Sequence, residues 1–323
     1  MPKAVLMIRN PTAGRCRRGL VDDVVRRLRA EGWTVDLVDT EARGDAARLA
    51  AACDASRYGV LAVAGGDGTI NEAVNGLASR TARGPSLAIV PLGTANVLAH
   101  ELGLSPSART IVRAIVAGEA IDVAPGLARD IETSRCFTLM AGVGFDAKVV
   151  AGVGARLKRR LGRGAYVWRS LVEMLRYRPI RYSVEVDGVA SEAASAIVTR
   201  SRHYAGPYVV ARGASLGEPM LHVCLFERWG RLQVLRFGAA LLTGRLQHMA
   251  GYRVVTGRRV EIRAIVEPGR EPVQIDGDDA LGLPLSIGLA PATVRLLHPR
   301  PGDDTGGQPS KPSPIARPAA GGG

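Results

Sequence analysis

Aromatic residues are scarce: three Trp, seven Tyr and four Phe make up 4% of 323 residues. Few stacking platforms for single-stranded nucleic acid are therefore on offer, and no zinc-finger or recognition-helix signature appears, so nucleic acid is not an expected partner. Cysteine is equally thin. Cys16, Cys53, Cys136 and Cys224 lie far apart with no paired spacing, which excludes a zinc ribbon or dithiol redox motif and fits a reduced compartment. His100, His203, His222, His248 and His298 show no metal-ligand spacing either. Long apolar runs are missing. Stretches such as Phe237 to Thr243 fall well short of the roughly 20 residues a membrane span needs, and Ala4 to Ile8 before Arg9 is too short for a signal peptide. A cytoplasmic protein is expected. Acid is in deficit too: 30 Asp and Glu face 43 Lys and Arg, a net charge of +13; on charge alone a nucleic acid, a membrane surface or an anionic substrate would each fit, so charge by itself decides little.

What is present is globular. The chain is 46% hydrophobic with 39 glycines and 19 prolines, and its length suits two domains. The first stretch alternates strand and helix. Apolar strands are expected at 4–9, 33–38, 58–64 and 87–90, with helices at 20–30, 45–52, 69–79, 95–102 and 107–117. Continuous apolar strands separated by amphipathic helices argue for a parallel sheet covered on both faces. After Ile121 the pattern changes to strands at 121–127, 135–141, 181–186, 194–199, 221–226, 259–264 and 273–275. One helical insertion at 164–178 interrupts them. Asp187-Gly188 reads as a hairpin turn, and this half looks antiparallel, a sandwich or barrel-like β domain. Ala292–Leu297 is a further strand that returns to the first domain. The division expected is 1–128, 129–299 with 292–299 returning, and a tail of Pro, Gly, Ser and basic residues at 300–323 that is disordered.

The chemistry concentrates where strands end. Gly65-Gly66-Asp67-Gly68-Thr69 directly follows the strand Tyr58–Ala64 and opens a helix at Ile70-Asn71. Glycines let backbone N–H groups approach phosphate oxygens, and a helix N-terminus favours an anion. The plain alternative is a tight strand–helix turn, but Asp67 beside a phosphate nest makes sense only with a cation. Asn10-Pro11-Thr12-Ala13-Gly14 follows the first strand and Pro91-Leu92-Gly93-Thr94-Ala95-Asn96 the fourth. Ligands of such sheets bind at the carboxyl ends of the strands, so three loops on one edge describe a nucleotide-phosphate crevice.

These three runs, with Gly142-Val143-Gly144-Phe145-Asp146-Ala147 and Gln274-Ile275-Asp276-Gly277-Asp278, resemble the ordered motifs of the bacterial diacylglycerol kinase and lipid kinase family, relatives of the sphingosine and ceramide kinases. The resemblance covers nearly all of the chain except the tail. It implies an α/β plus β fold: an N-terminal three-layer parallel-sheet nucleotide-binding domain, NAD-kinase- and diacylglycerol-kinase-like, and a C-terminal antiparallel β-sandwich. It implies ATP and Mg²⁺, with ATP across Asn10, Pro11, Thr12, Ala13, Gly14, Thr40, Gly65, Gly66, Asp67, Gly68, Thr69, Ile70, Asn71, Gly93, Thr94 and Asn96. Asp67 would reach the phosphates through Mg²⁺. Asp276, Asp278 and Asp67 are the candidate catalytic acids.

Three departures stand out. The family pattern Asp-Gly-Glu places a glutamate, the base that deprotonates the lipid hydroxyl, where this chain has Asp278. The shorter side chain draws the carboxylate about 1.5 Å back toward its own backbone, and Asp279 follows at once as a substitute. A bland surface turn is the competing reading of Asp-Gly-Asp. In Ser215–Val223, Glu218, Pro219 and His222 stand where an acidic, Mg²⁺-holding loop occurs in some members, so that metal site is not carried over. Val97 follows Asn96 in place of the family's common aspartate.

The segment 151–182 carries nine cations against Glu173 alone, five of them within Arg156–Arg163. With Trp168, Leu171 and Leu175 this suits an anionic leaflet. A solvated charged helix is the alternative. The expected protein is thus an ATP- and Mg²⁺-dependent lipid kinase, peripherally membrane-associated, acting on diacylglycerol or a similar lipid. A homodimer is compatible with this. The alternatives are a kinase of a soluble substrate such as NAD, and a nucleotide-binding membrane-surface protein impaired in catalysis.

Overall fold

The structure is a computed structural model of the chain that describes residues 2–13, 17–152, 180–228, 230–265 and 271–300. Four parallel strands begin its first, six-stranded sheet: β1 (Ala4–Arg9), β2 (Thr34–Asp39), β3 (Val60–Gly65) and β4 (Ser86–Pro91). β3 and β4 are buried along their whole length, while β2, at the edge, is mostly exposed. This is the burial that continuous apolar runs require when helices cover both faces.

Helices α1 (Arg18–Ala30) and α5 (Ala108–Ala117) pack together, as do α2 (Asp45–Ala51) and α3 (Asp67–Ala78). Right-handed crossovers put α1 and the α2–α3 pair on opposite faces, because β1 steps to β2 in one direction and β2 to β3 in the other. Each helix buries one stripe. In α3 it is Ile70, Ala73, Val74 and Leu77, a spacing that repeats with the helical turn. Between β4 and α5 lies the short helix α4 (Val97–Glu101).

The chain then enters two six-stranded sheets in which every pairing is antiparallel. One has the order β10-β9-β16-β19-β6-β7 and the other β15-β14-β11-β8-β17-β18. In chain order these strands are β6 (Gly126–Arg129), β7 (Ser134–Phe137), β8 (Met140–Val143), β9 (Tyr182–Val186), β10 (Val189–Ala193), β11 (Ser195–Thr199), β14 (Leu221–Phe226), β15 (Tyr252–Gly257), β16 (Val260–Ala264), β17 (Val273–Ile275), β18 (Asp278–Leu281) and β19 (Leu285–Leu289). A two-stranded hairpin, β12 (His203–Tyr204) with β13 (Tyr208–Val209), stands apart. Tyr182, Val184, Leu221, Val223, Val260 and Ile262 are among the side chains buried between the two layers. The expected turn between β9 and β10 is there, with Asp187 and Gly188 both at positive φ, 48° and 88°. Finally β20 (Val294–Leu297) inserts into the first sheet, parallel to β4 and antiparallel to β5 (Ala120–Val123).

Three expectations need correction. The strand expected at 135–141 is two strands in different sheets, β7 and β8. The strand expected at 121–127 is two strands in different sheets, β5 and β6, because Pro125 has no N–H to continue a ladder. The second half also contains helices that strand-like reading missed: α6 (Phe145–Gly152) and α7 (Arg231–Leu242). α7 has leucines outward as well as residues inward, so it lacks the polar face that would have marked it. The basic segment at 156–163, the helix expected at 164–178 and the tail beyond 300 lie outside the described residues.

Candidate functional site

The sheet order β2-β1-β3-β4 brings four strand ends side by side. Thr40, Asn10, the Gly65–Thr69 turn and the Gly93–Asn96 loop are thereby adjacent, linked by Thr40 N–H to the Arg9 carbonyl (2.9 Å), Asn10 N–H to that of Ala64 (2.9 Å) and Leu92 N–H to that of Gly65 (2.9 Å). Side chains tighten the row. Asn10 Nδ2 donates to Thr69 Oγ1 (3.0 Å), and Asn10 Oδ1 accepts from the N–H and hydroxyl of Thr12 (3.0 and 2.8 Å). The Thr69 hydroxyl keeps its own proton to donate. Gly14 lies outside the described residues.

The glycines are demanded by close approach. A Cβ on Gly65 would sit 2.7 Å from Thr69 Cβ, and one on Gly93 would sit 2.8 Å from Gly66 Cα and from Asn96 Oδ1. Gly66 caps α3 in an extended conformation, and the first bond of the helix runs from Ile70 N–H to the Gly66 carbonyl (3.1 Å). The N–H groups of the first turn thus have no partner inside the helix and point along its axis into the crevice, where the helix dipole adds to their attraction for an anion.

Asp67 turns across this crevice. Its Oδ1 accepts from Leu98 N–H (3.3 Å), so the carboxylate caps α4 and ties the second loop to the third. Burial pushes its pKa up, against the pull of the Leu98, Val97 and Asn96 N–H groups. Asn96 holds the intervening turn at φ 48°, ψ 48°, with Nδ2 on the Gly93 carbonyl (2.8 Å), and its Oδ1 is buried without a partner. Among the described residues no three His, Cys, Asp or Glu side chains gather as a metal site. A cation here would rely on phosphate oxygens, with the Asp67 carboxylate and the Asn96 Oδ1 as the protein oxygens in reach of the loops. That donor set suits Mg²⁺ carried by a nucleotide, since hard cations take oxygen ligands and keep several waters.

The opposite wall comes from the β-sandwich, and Asn71 joins it to α3. Asn71 is 1% exposed; its Nδ2 donates to Asp276 Oδ2 (2.6 Å) and to the Cys136 carbonyl (3.2 Å). Asn75, one turn later, exchanges two bonds with the Cys136 backbone (both 3.0 Å), extending the edge of β7 onto the helix. Asp276 sits at φ 47° and accepts four bonds: from Asn71 and from the N–H groups of Thr138 (2.8 Å), Leu139 (3.0 Å) and Met140 (2.8 Å). Desolvation raises its pKa to about 6, against those backbone donors and with a smaller push from Asp67. Its oxygens are engaged from every side, which is the environment of a clamp.

Asp278 is the more open acid. Its Oδ2 lies 2.9 Å from Arg43 Nη2 and 3.1 Å from Arg135 Nη2. Arg43 reaches over from the loop before α2, and Arg135 stands on β7. A cavity of about 260 Å³ beside them is lined by Arg43, Gly44, Asn71, Glu72, Asn75 and Arg135. Arg43, Arg135, Glu72 and Asn75 were not candidates from the sequence. Only Asn75 had a signal there, its i+4 spacing from Asn71; the arginines are two among many. Asp279 is exposed. The Gly142–Ala147 motif acts at one remove. Asp146 accepts from the Tyr204 hydroxyl and from Gln274 Nε2 (2.8 Å), and Gln274 Oε1 accepts from Gly277 N–H (2.9 Å), so this network props the turn that carries Asp276 and Asp278.

Comparison with known proteins agrees with this geometry. Residues 4–128 match the diacylglycerol kinase catalytic domain, and residues 140–298 match the YegS C-terminal NAD kinase beta sandwich-like domain. The chain belongs to the diacylglycerol kinase and lipid kinase family. This lipid kinase is 28% identical over 287 residues to the diacylglycerol kinase of Bacillus subtilis, covering 87% of this chain and 90% of that one. It is 28% identical over 285 residues to that of Mycobacterium tuberculosis, covering 86% and 89%. It is 33% identical over 165 residues to the lipid kinase YegS of Escherichia coli, covering 50% and 54%. A crystal structure of a diacylglycerol kinase from Bacillus anthracis has the same fold, with a TM-score of 0.73 at 22% identity over 92% of this chain and 97% of that one. As a family member the kinase is an ATP-dependent phosphotransferase with an alcohol acceptor. No helix among the described residues is long and apolar enough to cross a membrane.

Proposed function

We propose that the chain transfers the γ-phosphoryl group of Mg·ATP to a hydroxyl of diacylglycerol or a similar lipid at an anionic membrane surface. The observation that supports this most directly is Asn71, which stands on the helix whose N-terminus forms the phosphate nest and donates to Asp276 on the turn that also bears Asp278. The nucleotide unit is residues 1–128 with 292–299 returning to it, and the substrate unit is 129–299.

Phosphoryl transfer depends on positioning and charge neutralisation rather than covalent chemistry. Here the first-turn N–H groups of α3 and the hydroxyls of Thr69 and Thr94 hold phosphate oxygens, and Asn10 and Thr40 flank the nucleotide. Asp67 and Asn96 provide oxygens toward the cation. Mg²⁺ supplies neutralisation of the polyphosphate when bound.

Asp278 is the acceptor's base, and Asp276 is its positioning residue. Arg43 and Arg135 pair with Asp278, and an entering phosphate competes for both guanidinium groups. Arginine grips phosphate as well as carboxylate, so the same anion that brings the reactant uncovers the base.

The test is transfer of radiolabelled phosphate from ATP to a panel of lipid hydroxyls in vesicles, with NAD as the soluble comparison. Transfer to diacylglycerol, lost in Asp278→Asn and in Asp67→Ala with the fold retained, supports the reading. Transfer to NAD alone, or full activity in either variant, overturns it.

A further inference from the structure

We infer that the outward face of α7 is the surface by which this protein lies on an anionic bilayer. The inference rests on the lipid-acceptor reading only for its purpose; the surface is argued from the helix itself. Leu232, Leu235 and Leu242 are 60%, 50% and 63% exposed, whereas Phe237 and Ala240 are buried. Successive residues advance about 100° around a helix, so Leu232, Leu235, Ala239 and Leu242 share one arc and Phe237, Ala240 and Leu241 the other. The inner arc is satisfied: Phe237 packs edge-to-face on Phe226 at 5.2 Å, over the outer side of the β14–β15 pair. The outer arc is a stripe of leucines in water. Three large apolar side chains in line on one helix mark an interaction surface rather than scattered exposure.

Charge decides what covers it. Arg231 and Arg236 border the stripe on either side, and residues 228–260 contain seven arginines and no Asp or Glu. Glu227, just before this stretch, is paired with Arg253 (2.5 Å). A second copy docking the same face by two-fold symmetry would bring these arginines against each other at the contact. An anionic leaflet meets both demands, taking leucines into the acyl boundary and cations at the headgroups.

The experiment is co-sedimentation of the full chain with vesicles of phosphatidylcholine alone and of phosphatidylcholine with phosphatidylglycerol, for wild type, Leu232→Asp/Leu235→Asp and Arg231→Glu/Arg236→Glu. Wild type should prefer the anionic vesicles, and each double variant should bind them at least about ten-fold more weakly, with thermal melting unchanged because these side chains are exposed. Phosphoryl transfer to water-soluble dioctanoylglycerol should be the same in wild type and the leucine variant, while transfer to long-chain diacylglycerol in vesicles falls. Wild type that ignores anionic vesicles, or a leucine variant that binds them normally, overturns the inference. So does a wild-type dimer that the leucine variant dissociates, since a second copy then covers the stripe. Vesicle binding without transfer to any lipid leaves the docking face standing and removes the lipid-kinase reading.

Discussion

Asp276→Asn separates a clamp from a base. The wild-type carboxylate accepts Leu139 and Met140 N–H on Oδ1, and Thr138 N–H and Asn71 Nδ2 on Oδ2. An amide keeps one accepting oxygen, so its NH₂ must face two donors that already point inward. Two part-buried donors lose their partner, each costing about 1–3 kcal/mol, which gives roughly 2–6 kcal/mol in total. For a protein of this size about 1 kcal/mol moves the midpoint by roughly 2–4 °C, so Tm at pH 7.5 should drop by roughly 4–24 °C. A second readout follows from linkage. Burial raises the native pKa from 3.8 to about 6, so between those values the native state binds a proton that the unfolded chain has released. The stabilisation is complete below 3.8 and is lost as pH rises through 6. The asparagine variant does not titrate, so the gap in stability between wild type and variant should widen on going from pH 7 to pH 5, by about 1.4 kcal/mol per pH unit at most. Urea titrations of both proteins at pH 7 and pH 5 measure the gap directly. A variant that melts within about 2 °C of wild type yet transfers no phosphate would refute the clamp and return Asp276 to the role of base. A gap that narrows on acidification would refute the desolvated carboxyl.

Gly93→Ala places a methyl 2.8 Å from Gly66 Cα and Asn96 Oδ1; nucleotide affinity measured by calorimetry should fall at least about ten-fold, whereas Gly68→Ala, which meets nothing within 4 Å, should fall far less. Arg43→Ala removes an exposed ion pair worth about 0–1 kcal/mol, so melting should hardly change while KM for ATP rises, as steady-state kinetics will detect; an unchanged KM removes Arg43 from the phosphate. Arg200 is 1% exposed and donates to the carbonyls of Leu216, Glu218 and Met220, giving the loop that departs from the family's acidic pattern a guanidinium at its centre. Chelation with EDTA should therefore leave Tm unchanged, while Arg200→Met should lower stability by about 3 kcal/mol or more, because three carbonyls lose their donor.

The clustering of the three loops on one sheet edge was legible in the sequence because its signals are local. Asn10–Thr12, Gly65–Thr69 and Gly93–Asn96 each adjoin an apolar strand, and parallel strands of a covered sheet put their loops on one edge by topology alone. The division into an α/β half and an antiparallel half followed from the change of periodicity after Ile121. What was hidden is whatever depends on partners distant in the chain. Asp67 read as an acid aimed at phosphate, and only the packed structure reveals its cap on Leu98 N–H, 31 residues away. Arg43 and Arg135 meet at Asp278 across separations of 235 and 143 residues, and nothing in the local sequence of either arginine distinguishes it from the other basic residues. α7 was missed for a different reason: a helix packed on one side and apolar on the other has no hydrophobic periodicity to find.

The seam between the two halves also constrains how reactants enter. Asn71 and Asn75 bond to Asp276 and the Cys136 backbone. Arg43 crosses to Asp278. At the other end Glu101 of α4 accepts from the Ser201 hydroxyl (2.6 Å) and Arg202 N–H (3.0 Å), and lies 2.8 Å from His203 Nδ1. Each such bond is worth about 0.5–1.5 kcal/mol net when exchanged for water. Parting the seam would break the set together, at roughly 4–12 kcal/mol before any apolar contact is counted, so the fully parted form would be a minor population. β20 opposes parting as well, since it ties the end of the chain into the first sheet beside β4. Under the proposed function, nucleotide and acceptor would therefore reach the cleft along its open edge, where Arg43 is exposed and Arg135 partly so, rather than through a hinge. On that route the first groups an entering polyphosphate would meet are the arginines that pair with Asp278, which is the order of events the proposed base requires.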